Sequence, residues 1–329
     1  MSESARNHIQ IGLHAAVVAV EEKAPSVLTI EVANENGQRL IGLPFGPFDP
    51  PAHKTFETGL RTWVDEQTSA RLGYVEQLYT FGDYGRLVLE KVAPHFVSVS
   101  YLALVRRHSH GRKPEAGWSN WYSFLPWEDW RDGTPKILDN TVFPALAEWL
   151  DESVSKEERE AKENRINLGF GKSPTTPRST EWDEERVLER YELMYEAGLV
   201  TEAVNDGRIG ECRVSGGAGI AMLHDHRRIL ATAIARLRGK LKYRPVVFEL
   251  IPDQFTLTDL QQTVETLSGR LIHKQNFRRM VEKADLVEST GAMRSQTGGR
   301  PAALYRFRRS ILSERPAPGL KFGTANRSS

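Results

Sequence analysis

The sequence predicts two kinds of structure in one chain: a mixed α/β region at the N-terminus, then a compact basic helical module with a two-stranded ribbon. Three observations predict it. Apolar residues fall in short, strand-length segments around one amphipathic helix over residues 9–105. Helix, turn, helix and two strands follow in close order after Pro245. The charge also divides along the chain. Residues 222–329 hold 20 Lys+Arg against 9 Asp+Glu, a balance of +11, whereas residues 1–221 hold 24 against 34, a balance of −10. The formal net charge of +1 over 329 residues conceals this split. Such asymmetry suggests a polyanion-binding module attached to something else; the plainer alternative is a basic region docked on an acidic one.

In the first region, His14 to Val20 is an apolar run, Ser26 to Val32 alternates polar and apolar, and Arg39 to Leu43 is a third short strand before Pro44 and Gly46. The spacing then predicts a helix from His53 to Gln67, because Phe56, Leu60, Trp63 and Val64 fall on one face. Glu57–Arg61 and Arg61–Asp65 are i,i+4 pairs on its other side. Strands resume at Tyr74 to Phe81 and Phe96 to Val105, with a hairpin-like connection over Gly82 to Pro94. Residues 106–150 are loop-rich and aromatic, with Trp118, Trp121, Tyr122, Phe124, Trp127 and Trp130. Anchors packing irregular chain onto the first region are the favoured reading, and a stacking wall for a base the sharper one.

A helix begins within Asp139 to Leu150, Ser153 to Asn167 reads as a solvated charged helix, and Gly169 to Thr180 reads as a linker. Glu181 to Ala203 returns to helix, Asn205 to Gly219 is a glycine-rich loop, and His224 to Lys242 is a long helix with a very basic outer side. The expected organisation is an α/β domain over residues 1–150, an acidic helical segment over 151–221 and a basic module over 222–329.

The longest apolar runs, such as Ala15 to Val20, are far short of the roughly 18 residues needed to span a bilayer. No basic-then-apolar leader pattern opens the chain. A single cysteine, Cys212, excludes an internal disulfide framework and a cysteine-based zinc site, which makes a reducing, cytoplasmic setting the default.

After Pro245, Val246 to Leu250 reads as a short strand. Thr256 and Asp259 form an approximate capping box at the start of a helix that stops at Ser268-Gly269. His273 to Lys283 is a second helix anchored by Phe277, Met280 and Val281. Leu286 to Ser289 and Ala303 to Phe307 flank a Gly-, Ser- and Arg-rich loop, Thr290 to Arg300. That order is a winged helix-turn-helix. A major groove admits one α-helix, and Asn276, Arg278 and Arg279 carry the groups that read adenine and guanine edges. Lys274 can neutralise a phosphate, and Arg294 and Arg300 on the wing can reach a minor groove or phosphates.

Residues 42–68, GLPFGPFDPPAHKTFETGLRTWVDEQT, resemble in outline the box of a Nudix hydrolase, in which acidic residues on a helix hold Mg²⁺ at a diphosphate. Leu43-Pro44 and Gly46 precede the helix, and Arg61-Thr62-Trp63-Val64-Asp65-Glu66 occupies the core. The upstream Glu is absent, the first Glu of the core is Thr62, and Thr68 stands for the closing Gly. One extra residue also lies between Gly46 and Arg61. Asp65 and Glu66 alone make a thin site for a hard divalent cation, so weak hydrolysis or none is expected, with no catalytic residue and no resident metal.

Together the two halves resemble the Nudix-related transcriptional regulators of NAD metabolism, the NrtR group, and most closely their alphaproteobacterial NadQ-type members. The resemblance is carried by the eroded box, by YVEQLYTFGDYGR (74–86) with VSVSYLALV (97–105), and by RLRGKLKYRPVVFELIPDQFTLTDLQ, HKQNFRRMV and GGRPAALYRFRR in the basic module. It implies a homodimer on a pseudo-palindromic double-stranded operator, repressing genes of NAD synthesis. It also implies a Nudix-like domain turned to sensing NAD, ADP-ribose or ATP. Lys274, Asn276, Arg278, Arg279 and Arg300 carry over as DNA contacts, and Arg61, Asp65 and Glu66 as the effector face. The competing reading is a Nudix pyrophosphatase acting on ADP-ribose or a related compound.

Overall fold

The computed structural model describes residues 9–33, 37, 39–83, 95–106, 113–175, 181–295, 301–314 and 319–320. Seven strands form one mixed sheet: β1 (Ile9–Glu21), β2 (Ala24–Ala33), β3 (Arg39–Gly42), β4 (Phe45–Pro47), β5 (Tyr74–Phe81), β6 (His95–Leu104) and β7 (Ala116–Asn120). The order is β3-β2-β1-β6-β5, with β4 added on β1 and β7 on β2. Among the described residues only the β1–β6 pair is parallel. Strands β4 and β7 escaped sequence reading, since three residues around Gly46 and a Gly-Trp-Ser core carry no alternation.

From Gly12 to Ala19 β1 is buried at every position, and apolar at all but His14, because both its faces are covered there. Leu13, Ala15 and Val17 meet Leu60 and Val64 of α1 (Phe56–Thr68) on one face. Ala16 and Val18 point the other way, into a larger cluster that runs on into the C-terminal helices. α1 starts at a capping box of Thr55 and Thr58, which the sequence reading did not register.

The aromatic segment holds a short helix α2 (Trp121–Phe124) and a 3₁₀ turn, Pro126–Glu128. Trp121 and Trp127 are fully buried and Trp130 stacks on Trp182, so these rings are packing anchors. Beyond a π turn, Leu138–Val142, lie α3 (Phe143–Asp151), α4 (Lys156–Phe170), α5 (Val187–Glu196), α6 (Thr201–Asn205) and α7 (His226–Tyr243). α4 is solvated for most of its length, but Ile166 and Phe170 enter the core. The expected helix over Glu181 to Ala203 is instead two, α5 and α6. Gly198 breaks it at φ +74°, where a Cβ would also lie 2.7 Å from Ile209. Within the expected linker, the described residues through 175 include the buried Gly171 and Ser173; the rest, 176–180, lies outside the described residues. So does most of the Gly82 to Pro94 connection.

Val246–Glu249 is a 3₁₀ turn and not the expected strand. Val246, Val247 and Phe248 are all buried, which a tight turn after Pro245 allows and an alternating strand does not. α8 (Leu257–Ser268), α9 (Lys274–Ala284), β8 (Val287–Arg294), β9 (Ala302–Phe307) and α10 (Ile311–Glu314) follow. The Thr256/Asp259 capping box forms as expected, and Gly269 closes α8 at φ +76°. Among the described residues no helix is long and apolar enough to cross a membrane.

Candidate functional site

α9 is held by Phe277 and Val281, one turn apart and both buried against the cluster that includes Leu260, Val264 and Leu286. That anchoring turns Lys274, Gln275, Asn276, Arg278, Arg279 and Lys283 to solvent. The four predicted contacts on this helix therefore lie on its exposed side, and Arg279 Nη2 donates to Asn276 Oδ1 at 3.3 Å. Among the described residues no carboxylate pairs with Lys274, Arg278, Arg279 or Lys283. Arg294, at the end of β8, lies 2.6 Å from Asp259 and so ties the wing to the start of α8. Arg300 lies outside the described residues.

α7 behaves differently, and its expected basic outer side is corrected by the structure. Arg227 and Arg238 are fully buried, Arg227 against Glu202 and Arg238 against Glu128 at 2.6 Å. Arg228 meets Asp83, Glu192 and Asp225. Arg236 and Lys240 share Glu76, and Lys242 bridges Glu184 and Glu185. Each of these acids except Asp225 lies before residue 222. Much of the charge split is thus consumed inside the molecule, while α9 keeps its positive charge.

Glu128 is the centre of that inner network. Its carboxylate accepts from Arg190 Nε and Nη2 at 2.5 and 2.8 Å and from Arg238 Nη1 at 2.6 Å. Burial pushes its carboxyl up, and the two guanidiniums more than reverse this, so it titrates below the ordinary carboxylate range. Arg238 Nε also donates to Leu267 O at the end of α8. Tyr122 OH donates to Thr266 O at 2.8 Å, and Trp130 N to Gly269 O at 2.7 Å. The β1–β2 hairpin tip joins in, since Lys23 O accepts from Arg131 Nη1 and Thr266 Oγ1. The turn of the helix-turn-helix is therefore clamped onto the aromatic segment. Tyr122, Glu128 and Arg131 carry no sequence signal of this role, because Thr266, Arg238 and Lys23, the partners that tie the segment to the rest of the fold, are more than 100 residues away.

On the far face of the sheet, the residues of α1 hold local structure together. Arg61 binds Glu57 at 2.9 Å and the carbonyls of Leu72 and Gly73, stapling α1 to the entry of β5. Gln67 clasps Phe45 by both its backbone N–H and C=O. Trp63 Nε1 donates to Pro47 O, and its ring covers Gly46, where a Cβ would collide with the indole. Asp65 and Glu66 are exposed, and among the described residues no three His, Cys, Asp or Glu side chains are grouped to hold a metal. The third acid of α1, Glu57, is held by Arg61. The residues present do not fit the Mg²⁺ site that a Nudix hydrolase requires.

Residues 247–307 match the family described as the NrtR DNA-binding winged helix domain. The chain joins a Nudix-like α/β unit to a C-terminal winged helix domain. Over 83 residues, 25% of this chain, it is 41% identical to the ADPR responsive transcriptional repressor NtrR of Acinetobacter baylyi. That match spans 33% of the relative's length. Shewanella oneidensis NrtR complexed with a 27mer DNA has a similar fold, with a TM-score of 0.53 and 21% identity over 92% of this chain and 95% of that one. A MutT/nudix family protein from Enterococcus faecalis gives 0.51 at 14% identity, covering 94% and 90%. The likeness over nearly the whole chain extends the winged helix and Nudix-like assignments to one architecture, in which the mixed sheet is the Nudix-like part.

Proposed function

We propose that the chain is a ligand-responsive transcriptional repressor that binds double-stranded operator DNA as a homodimer. One observation carries the reading: the cations of α9 are exposed and unmatched by carboxylates among the described residues, whereas those of α7 are neutralised within the fold. Lys274, Asn276, Arg278 and Arg279 are the contacts on the recognition helix, with Arg294 and Arg300 on the wing. A pseudo-palindromic operator follows from two-fold symmetry of the protein. In this reading residues 222–329 bind DNA, residues 1–150 sense the effector through the α1 face with Arg61, Asp65 and Glu66, and residues 151–221 join them.

The effector is an adenine-containing metabolite: NAD, ADP-ribose or ATP. The ADPR-responsive character of the Acinetobacter baylyi relative favours ADP-ribose among these. The regulated genes are those of NAD synthesis, the subtype is NadQ-like, and the setting is the cytoplasm at the nucleoid. Hydrolysis is not assigned, because α1 offers only Asp65 and Glu66 beyond the Arg61-bound Glu57.

Gel-shift titration tests the reading, using the promoter of an NAD-synthesis operon and random DNA of equal length, with and without each nucleotide. Promoter affinity is expected to exceed random affinity by about 10³-fold or more, the ordinary margin of specific binding. Equal affinity for the two DNAs overturns it.

A further inference from the structure

α9 holds one row of side chains furthest from the core. Phe277 and Val281 mark its inward side. At about 100° per residue, Arg279 points about 180° and Gln275 about 140° from the line midway between those anchors, whereas Lys274 and Arg278 stand at about 40° and 80°. Gln275 and Arg279 are four residues apart, so they are neighbours on that row, and both are exposed. Glu282, also exposed, comes next on the same side as Gln275. A carboxylate repels phosphate, so the row suited to DNA ends there, and the first two turns of α9 are the part that enters a groove.

Two carboxamides stand at this end of the helix, and they are not equivalent. Asn276 Oδ1 accepts from Arg279 Nη2 at 3.3 Å. Among the described residues the Gln275 side chain makes no hydrogen bond. An adenine edge is read by one amide whose oxygen accepts from N6–H while its N–H donates to N7. Gln275 has both groups free, whereas Asn276 must first give up Arg279. Asn276 is also shorter by one methylene and lies on the opposite flank of the row, about 120° from the anchors. A guanidinium carries five N–H groups, so the one given to Asn276 leaves Arg279 enough for O6 and N7 of guanine. The same bond restrains a flexible side chain before DNA arrives, which lowers the ordering cost of the contact.

We propose that Gln275 is the adenine-reading residue of the recognition helix, that Arg279 reads a guanine close to that adenine, and that Asn276 is a positioning residue that aims Arg279. The proposal rests on the repressor reading and gives its recognition helix a base preference. Asn276 keeps its Nδ2 hydrogens for a phosphate. Four residues of helix advance about 6 Å, against about 3.4 Å per base-pair step, so the adenine and the guanine lie within two base pairs of each other.

Selection of binding sites by the full chain from a randomised duplex pool tests this, followed by gel shifts on the selected site with each base exchanged in turn. The wild type should select an adenine and a guanine within two base pairs in each half-site, each favoured about fivefold or more over other bases. Gln275→Ala should lose the adenine preference alone, and Arg279→Ala the guanine preference alone. Asn276→Ala should weaken the guanine preference and leave that for adenine intact, which a contact of its own with adenine does not allow. All three side chains are exposed, and thermal unfolding checks that each variant folds. Adenine preference kept in Gln275→Ala or lost in Asn276→Ala overturns the proposal, and so does undiminished guanine preference in Asn276→Ala. A wild type that selects a site without such an adenine and guanine also overturns it, while the repressor reading stands. Enrichment of no sequence at all overturns both.

Discussion

Replacing Glu128 by Ala should destabilise the protein by about 4 kcal/mol, within the usual range of roughly 3–5 kcal/mol for removing one partner of a buried ion pair. Glu128, Arg190 and Arg238 have no exposed surface, and the carboxylate accepts three N–H groups. Its loss strands two guanidiniums away from water. The cost stays below that of two separate pairs because carbonyl acceptors remain: Gly169 and Asp183 for Arg190, and Leu267, Glu184 and the Glu128 backbone for Arg238. Glu128→Gln, which keeps one acceptor oxygen and the shape, should cost less. Urea unfolding followed by tryptophan fluorescence measures both. The wild type should carry a pH signature as well. A carboxyl lowered in the folded state contributes stability above its unfolded pKa, and that stability is lost as pH falls through the folded value. The variants should lack this part of the acid sensitivity. A loss under about 1 kcal/mol for Glu128→Ala would refute the reasoning, since water or relaxation would then be solvating the two cations.

Arg278→Ala should cost about 1–3 kcal/mol of promoter affinity if it reads a base. Lys274→Ala should instead lower the log–log salt slope by about 0.9 with little change in sequence preference, as gel shifts at several salt concentrations can show. Gly46→Ala places a methyl against the Trp63 indole and should destabilise by about 1–3 kcal/mol in thermal unfolding, less in a Trp63→Leu background. His14 is buried among Phe45, His226 and the β1 backbone; burial, with the neighbouring His224, lowers it from 6.5 to about 4. The unfolded chain takes this proton first, so the neutral imidazole's contribution is present above pH 6.5 and lost as pH falls toward 4. The loss is of order 3 kcal/mol, and His14→Phe should flatten the fall of the urea midpoint between pH 7 and 4.5.

Much of the winged helix was legible in the sequence because its signals are short-range. Thr256 and Asp259 lie three residues apart, Gly269 stops the helix at once, and Phe277 and Val281 are one turn apart. The sheet was legible where strands are long enough to alternate or to be buried on both faces, as in β1 and β2. It was not legible at β4 and β7, which exist because neighbouring strands supply hydrogen bonds to a few residues of no strong preference. Val246 to Phe248 misled for a related reason: three successive apolar residues fit a buried turn as well as a strand. In the box, the residues lacking for metal binding could be read directly, but the clasp of Gln67 on Phe45 could not.

The sequence by itself determined the order of the winged helix elements from Thr256 onward, the cap of α8, the scarcity of acidic residues over 42–68 and the sign of charge in each half. Those properties belong to single residues or to neighbours within a turn. The tertiary structure decided which charges remain available. Arg238 and Glu128 stand 110 positions apart and meet only because β2, the aromatic segment, α5 and α7 pack into one core. A charge's availability depends on what lies within a few ångströms of it in space, since Coulomb attraction falls with distance and not with separation along the chain. For that reason composition counted the cations of α7 and α9 alike, and folding set them apart.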